Sequence, residues 1–231
     1  MIVGYFGLPG CGKTTLLTMK AQKALSDIAR GVSKYKYVFT NFECAGCHKI
    51  TFMDLDSFTV KDSLILLDEL VIDADNRGFK QFPLGIRDFL ILHRHESVDV
   101  IYATQAYDKV DLKIRVLTAE LWYMRKTVIP ILSSFTLCTK IYRNMDINEY
   151  TSDIVYGYRF CNFVERFFAS NNQLIWRPRY YKYFDSFDSL QLAQRKHLPI
   201  IPWGTPFVPS KLDHLIAKAP ALFKFRAKSI H

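Results

Sequence analysis

The chain has 231 residues, 49% hydrophobic and 23% charged, which supplies a sizeable core and excludes wholesale disorder. Its net charge of +9 is uneven: residues 1–125 hold 16 Lys+Arg against 15 Asp+Glu, and residues 126–231 hold 15 against 7. A spanning helix is not expected, because the longest apolar run, Val128 to Thr139, is bracketed by Lys126 and Lys140 and broken by Pro130.

The first element is a β-rich run, Ile2 to Phe6, that stops at Gly7. These opening residues lack the basic start and long apolar stretch of a signal peptide. With five cysteines, an odd number, the expectation is reduced thiols in a cytosol rather than a disulfide framework. From Lys13 the pattern turns helical, with Leu17, Ala21, Ala24, Leu25 and Ile28 on one face and Gly31 as the stop.

Tyr37 to Thr40 reads as the next strand. Cys44-Ala45-Gly46-Cys47-His48 matches the c-type haem attachment pattern, but haem attachment needs export, and zinc needs a fourth ligand that is not evident. A turn between two strands is the better reading. Leu64 to Leu67 is apolar on both faces, as a central parallel strand should be. Pro83 and Gly85 precede a helix in which Ile86, Phe89, Leu90 and His93 share a face, ending near Glu96. Val98 to Thr104 and Leu121 to Met124 are further strands. Strands alternating with helices predict a parallel sheet with right-handed crossovers.

Beyond residue 126 the pattern weakens. Ile154, Tyr156, Tyr158 and Phe160 alternate like a strand, while Phe160, Phe163, Val164, Phe167 and Phe168 also fit a helix. Residues 191–231 contain five prolines and seven Lys+Arg against one acid, a tail held by a partner or loosely ordered. The basic C-terminal half is the candidate for meeting nucleic acid or an anionic membrane surface.

The chemistry concentrates near the N-terminus. Gly7-Leu8-Pro9-Gly10-Cys11-Gly12-Lys13-Thr14 fits G-x-x-x-x-G-K-[ST] in full, between a strand and a helix. Its glycines let backbone N–H groups turn inward around a phosphate. Lys13 would reach the β- and γ-phosphates of ATP, Thr14 would hold Mg²⁺, and Thr15 sits where the helix dipole favours an anion. Cys11, inside the loop, is a candidate for sensitivity to oxidation or alkylation.

Leu64-Ile65-Leu66-Leu67-Asp68-Glu69 supplies a second part: Asp68 for the metal's water shell, and Glu69 to orient and deprotonate a water. Gln105, closing the Val98–Thr104 strand, either senses the γ-phosphate and aligns the water or makes a local hydrogen bond.

His93-Arg94-His95, Asp99-Val100-Ile101, Thr104-Gln105, Val110-Asp111 and Ile114-Arg115, taken with the loop and the acidic pair, resemble the zonular occludens toxin (Zot) domain family. Asp75-Asn76-Arg77 and Tyr181-Lys182-Tyr183-Phe184-Asp185-Ser186 resemble its later landmarks. The resemblance covers residues 1–190 and includes the assembly ATPases of filamentous bacteriophages.

It implies an α/β P-loop NTPase fold of the FtsK/HerA-like group, a mainly parallel sheet flanked by helices. The domain would span 1–190, with a core at 1–126 and an aromatic-rich, β-rich extension at 127–190, followed by the basic tail at 191–231. It further implies an ATP-driven motor at the host inner membrane that extrudes a filamentous phage. Its partners would be further copies of itself in a ring, single-stranded DNA or phage coat protein, and the membrane or a membrane-bound phage protein. Members usually carry a spanning helix after this domain; without one, recruitment would fall to the basic tail or to such a partner.

A ring motor needs a cation from one subunit at the γ-phosphate held by the next. Arg94 and Arg115 are the candidates and Arg77 a third, unless each pairs locally, Arg94 with Glu96 or Arg115 with Asp111. Trp176 to Phe184 interleaves cations with aromatics, which suits a single-strand binder. Because the family pattern runs through it, a strand with buried aromatics is preferred, and DNA contact stays open. A nucleotide-switched scaffold and a DNA-translocating or packaging ATPase are the alternative functions; a small-molecule kinase fits least.

Overall fold

The computed structural model describes residues 1–57, 60–70, 84–127, 133–147, 154–160, 162 and 172–184. Within them, Ile2–Gly7 (β1), Tyr37–Thr40 (β2), His48–Lys49 (β3), Ser63–Leu67 (β4), Asp99–Thr104 (β5) and Glu120–Lys126 (β6) form a parallel array in the order β3-β2-β4-β5-β1-β6. Phe135–Ile147 (β7) returns antiparallel to β6. Ile154–Phe160 (β8) and Asn172–Trp176 (β9) then pair antiparallel with β7 along its other edge. The flanking helices are Lys13–Ala29 (α1), Leu84–Leu92 (α2) and Leu112–Leu117 (α3). This is the α/β class with a mainly parallel sheet that the sequence predicts, and the residues beyond 126 continue the same sheet.

β4 lies between β2 and β5, and all five of its residues are buried. The two-residue period of a strand divides them between two cores. Leu64 and Leu66 face α1, meeting Leu17, Ala21 and Ala24. Ile65 and Leu67 face the other way, toward Ile86 and Leu90 of α2 and Ile114 of α3. Truncating one of these fully buried side chains to Ala costs about 2–5 kcal/mol.

α1 ends where the sequence places its stop. Gly31 takes φ +69°, its N–H bonds the Ile28 carbonyl at 2.9 Å, and Val32 bonds that of Asp27 at 3.0 Å. That left-handed residue and paired return close the orphan carbonyls of the last turn. α2 stops at Leu92, earlier than Glu96. The Val98 N–H returns to the His93 carbonyl at 2.9 Å and Ser97 takes φ +56°, so the chain turns directly into β5. His93 is buried with Nδ1 2.7 Å from the Leu90 carbonyl, and burial lowers its pKa, so it packs as a neutral ring.

Cys44 to His48 is the predicted turn between strands. The Cys47 N–H returns to the Cys44 carbonyl at 3.2 Å, and both thiols are fully buried beside Gln22 of α1.

Trp176 to Phe184 departs from the expected buried strand. Only Trp176 is in a strand, and Arg177–Tyr183 winds into a 3-10 helix with a proline in its first turn. Pro178 has no N–H for a ladder and a φ fixed near helical values. The aromatics there divide: Trp176 is 52% exposed and Tyr181 50%, while half-buried Tyr180 packs against the core cluster of Leu16, Met124 and Ile175.

No helix among the described residues is long and apolar enough to cross a membrane. Asp75-Asn76-Arg77, Phe163 to Phe168 and the tail at 191–231 lie outside the described residues.

Candidate functional site

β1 leads into the Gly7–Thr14 loop and α1 leads out of it, the strand–loop–helix unit of a P-loop NTPase fold. Gly12 precedes α1 at φ +97°, and no side chain caps the helix. The N–H groups of its first turn have no partner within the helix and carry the positive end of its dipole. A Cβ at Gly12 would lie 2.8 Å from Arg177 Cδ and 2.9 Å from Thr136 Oγ1, so glycine is required there twice over.

Leu8, Pro9 and Gly10 form an exposed crest, while Lys13 and Thr15 are buried behind it. The Lys13 ammonium donates to the carbonyls of Gly7 at 3.1 Å and Leu8 at 3.4 Å. It also stands 3.7 Å from Glu69 Oε1. Thr14 donates its hydroxyl to Asp68 Oδ2 at 2.5 Å.

The Asp68 carboxyl is pushed up to about 6 by burial, with Thr14 and Lys13 pulling it down and Glu69 adding to the rise. Asn41, just past β2, brackets it: its amide donates to the Asp68 carbonyl at 2.8 Å and accepts from the Asp68 N–H at 2.7 Å. Glu69 adopts φ +50°, a left-handed conformation that costs a non-glycine residue on the order of 1 kcal/mol. That turn brings its Oε1 to Lys13 and to Gln105, whose Nε2 donates to it at 2.8 Å.

Lys13, Thr14, Asp68, Glu69 and Gln105 therefore meet at the C-terminal end of the parallel strands. Cys11 corrects the expectation of a reactive thiol. It is 3% exposed, packed with Leu16, Met124 and Cys138, and burial raises its pKa despite the nearby Lys13.

Neither arginine candidate joins this cluster among the described residues. Arg94 is exposed in the turn after α2. Arg115, on α3 near Tyr102 and Tyr107, has a buried Nε with no hydrogen-bond partner among the described residues. The local pairings do not form either. Glu96 pairs with Lys61 at 3.1 Å, and Asp111 caps α3 through the Lys113 N–H at 2.7 Å.

Three contacts at the site were not legible in the sequence: Asn41 on Asp68, Thr136 on the loop, and Arg177 on the loop. Thr136 Oγ1 donates to the Cys11 carbonyl at 2.5 Å, and Arg177 Nη1 to that of Gly10 at 3.4 Å. Each acts through main-chain atoms of a distant element, and side-chain spacing carries no trace of that. Arg177 is thus occupied by backbone carbonyls, which leaves it a poor match for the DNA-contact reading.

A family model described as Zonular occludens toxin (Zot) matches residues 44–160. Among solved structures, the N-terminal domain of zonular occludens toxin from Neisseria meningitidis aligns over 80% of this chain and 98% of that one, at 15% identity and a TM-score of 0.51. The genome packaging NTPase B204 from Sulfolobus turreted icosahedral virus 2, in complex with ATPγS, aligns over 67% and 95%, at 13% identity and a TM-score of 0.39. The flagellar accessory protein FlaH from Methanocaldococcus jannaschii aligns over 60% and 76%, at 9% identity and 0.39. No curated protein sequence matches. With the family model spanning just over half of its residues, the chain belongs to the zonular occludens toxin (Zot) family.

Proposed function

We propose that this chain binds ATP with Mg²⁺ and hydrolyses it, and that hydrolysis drives a motor for phage assembly. The observation that carries the reading is the meeting of Lys13, Thr14, Asp68, Glu69 and Gln105 at the carboxyl ends of β1, β4 and β5. Open α/β sheets bind their ligands at that edge.

The donor set fits magnesium. A hydroxyl and a carboxylate, both hard oxygens, converge at 2.5 Å, and this ion is typically held by one or two carboxylates plus substrate phosphates. When bound it neutralises charge on the β- and γ-phosphate oxygens. Thr14 and Asp68 would hold it, with Asp68 as the carboxylate. Lys13 would exchange Glu69 for the phosphates as its counter-ion. Glu69, kept in place by Gln105, would accept the proton of a water attacking the γ-phosphorus, releasing ADP and phosphate.

A motor of this kind would work as a ring with ATP between subunits, one subunit supplying a cation to the γ-phosphate held by the next. Of the two candidates for that cation, Arg94 is exposed and so more accessible to a neighbouring subunit than the half-buried Arg115. Family membership supports the finer reading, extrusion of a filamentous phage at the host inner membrane. The basic residues 191–231 or a membrane-bound phage protein would be the tether.

The test is ATP binding and hydrolysis by the purified chain, with Lys13→Ala and Glu69→Gln beside it. Lys13→Ala should lose both; Glu69→Gln should keep binding and lose turnover by about 10²-fold or more. Binding with no turnover, even with membranes and single-stranded DNA added, would favour a nucleotide-switched scaffold.

A further inference from the structure

The extension reaches back to the phosphate loop through two side chains. Arg177, the first residue of the 3-10 helix after β9, donates from Nε to the Ser134 carbonyl at 3.3 Å, from Nη2 to that of Ser133, and from Nη1 to that of Gly10 at 3.4 Å. Its backbone N–H also bonds the Ser134 carbonyl, at 3.1 Å. Its stem lies over Gly12, with Cδ 2.8 Å from where a Cβ would stand. Thr136, on β7, holds the next carbonyl, that of Cys11.

We propose that Arg177 is a positioning residue for the phosphate loop, so that the extension is part of the nucleotide site. This rests on the ATP-binding reading above. Arg177 acts through the loop and not on the phosphate. In a trans peptide the carbonyl and the following N–H point in opposite directions. Anchoring the Gly10 and Cys11 carbonyls therefore fixes the direction of the Cys11 N–H, which closes a turn on the Leu8 carbonyl at 3.2 Å, and that of the Gly12 N–H. The loop needs such an anchor, since Gly10 and Gly12 both take positive φ and glycine loses the most conformational freedom on ordering. A loop ordered before the ligand arrives binds it more tightly.

The competing account is that Arg177 only staples Ser133 and Ser134 to the 3-10 helix. A merely structural role would lower the melting temperature or the number of competent sites while leaving the affinity of folded protein unchanged.

The experiment is titration of the full chain with a fluorescent ATP analogue and Mg²⁺ well below the melting temperature, reading Kd and site number separately. Arg177→Met keeps an unbranched stem over Gly12 and removes the donors. Its Kd should rise about tenfold with site number unchanged, the scale expected for charged hydrogen bonds, and Arg177→Lys should recover part of the loss. Thr136→Val, which removes only the Cys11 contact, should raise Kd about threefold.

An unchanged Kd in Arg177→Met, whatever happens to its melting temperature, overturns the proposal. If that variant does not fold, Arg177→Lys decides: its Kd should still rise, by less than about tenfold, and a wild-type Kd there overturns the proposal. Lys13→Ala separates the two levels. Loss of binding in that control against a binding wild type upholds the ATP site by itself, whereas a wild type that binds no nucleotide removes both readings.

Discussion

Thr14 and Asp68, 54 positions apart, meet with Oγ1 and Oδ2 at 2.5 Å. The contact joins the start of α1 to the end of β4, so the loop and the acidic pair form one assembly before any nucleotide arrives. It also places a carboxylate where burial disfavours its charge.

Asp68→Asn should exchange function for stability. The folded pKa of about 6 lies above the ordinary 3.8, so the group's stabilising contribution is full below pH 3.8 and lost as pH rises through about 6. At pH 7.5 the ionised carboxylate is a liability, and the variant without nucleotide should gain roughly 1 kcal/mol, a rise of a few degrees in Tm. Mg·ATP should raise the Tm of wild type but not of the variant. A lower Tm for the nucleotide-free variant would contradict the electrostatic account.

Asn41→Ala should remove both hydrogen bonds to the Asp68 backbone, at a cost of about 1–3 kcal/mol in stability. Half-saturation by Mg²⁺ should shift upward while ATP binding without metal stays near wild type. An unshifted magnesium requirement would make Asn41 a structural tie only.

Gln105→Ala should lower kcat about tenfold or more with KM within about twofold, because Gln105 holds Glu69 and not the loop. Steady-state kinetics separate this from a binding role. A raised KM with unchanged kcat would assign Gln105 to the phosphates instead.

Asp99, at the opposite end of β5, should govern acid stability without affecting the site. Burial opposes its charge, yet Lys34, the Met1 amine and Tyr35 donate to it and hold its pKa at about 2. This stabilisation is present above the unfolded value of 3.8 and lost as pH falls toward about 2. Asp99→Asn should cost about 2 kcal/mol at pH 7 and flatten the acid limb of a denaturation series. An identical acid midpoint in the variant would remove Asp99 from the account.

The parallel core was legible because its strands are buried on both faces and its helices on one, so hydrophobic period tracks structure directly. Ile2–Gly7, α1 and β4 all follow that rule. The nucleotide loop was legible because glycine, lysine and threonine spacing is itself the chemistry. The extension was harder. Among the described residues β8 and β9 pair only with β7, and Leu174, Trp176 and Phe160 stay exposed, so apolar content there does not report burial. Trp176 to Phe184 departs from its expected strand for the same reason: alternating cations and aromatics describe a 3-10 helix, a strand and a DNA groove equally well. The local partners expected for Arg94 and Arg115 failed because Glu96 and Asp111 were engaged by Lys61 and by a helix N-terminus. Sequence distance could not rank those competitors.

The most direct test of the central claim, an ATPase site completed by a second subunit, is turnover per subunit across a protein concentration series at saturating Mg·ATP. Specific activity should rise with concentration, level off as subunits assemble, and vanish in Glu69→Gln at every concentration. Turnover per subunit that is flat from the lowest concentration, in protein shown to be monomeric there, would contradict it.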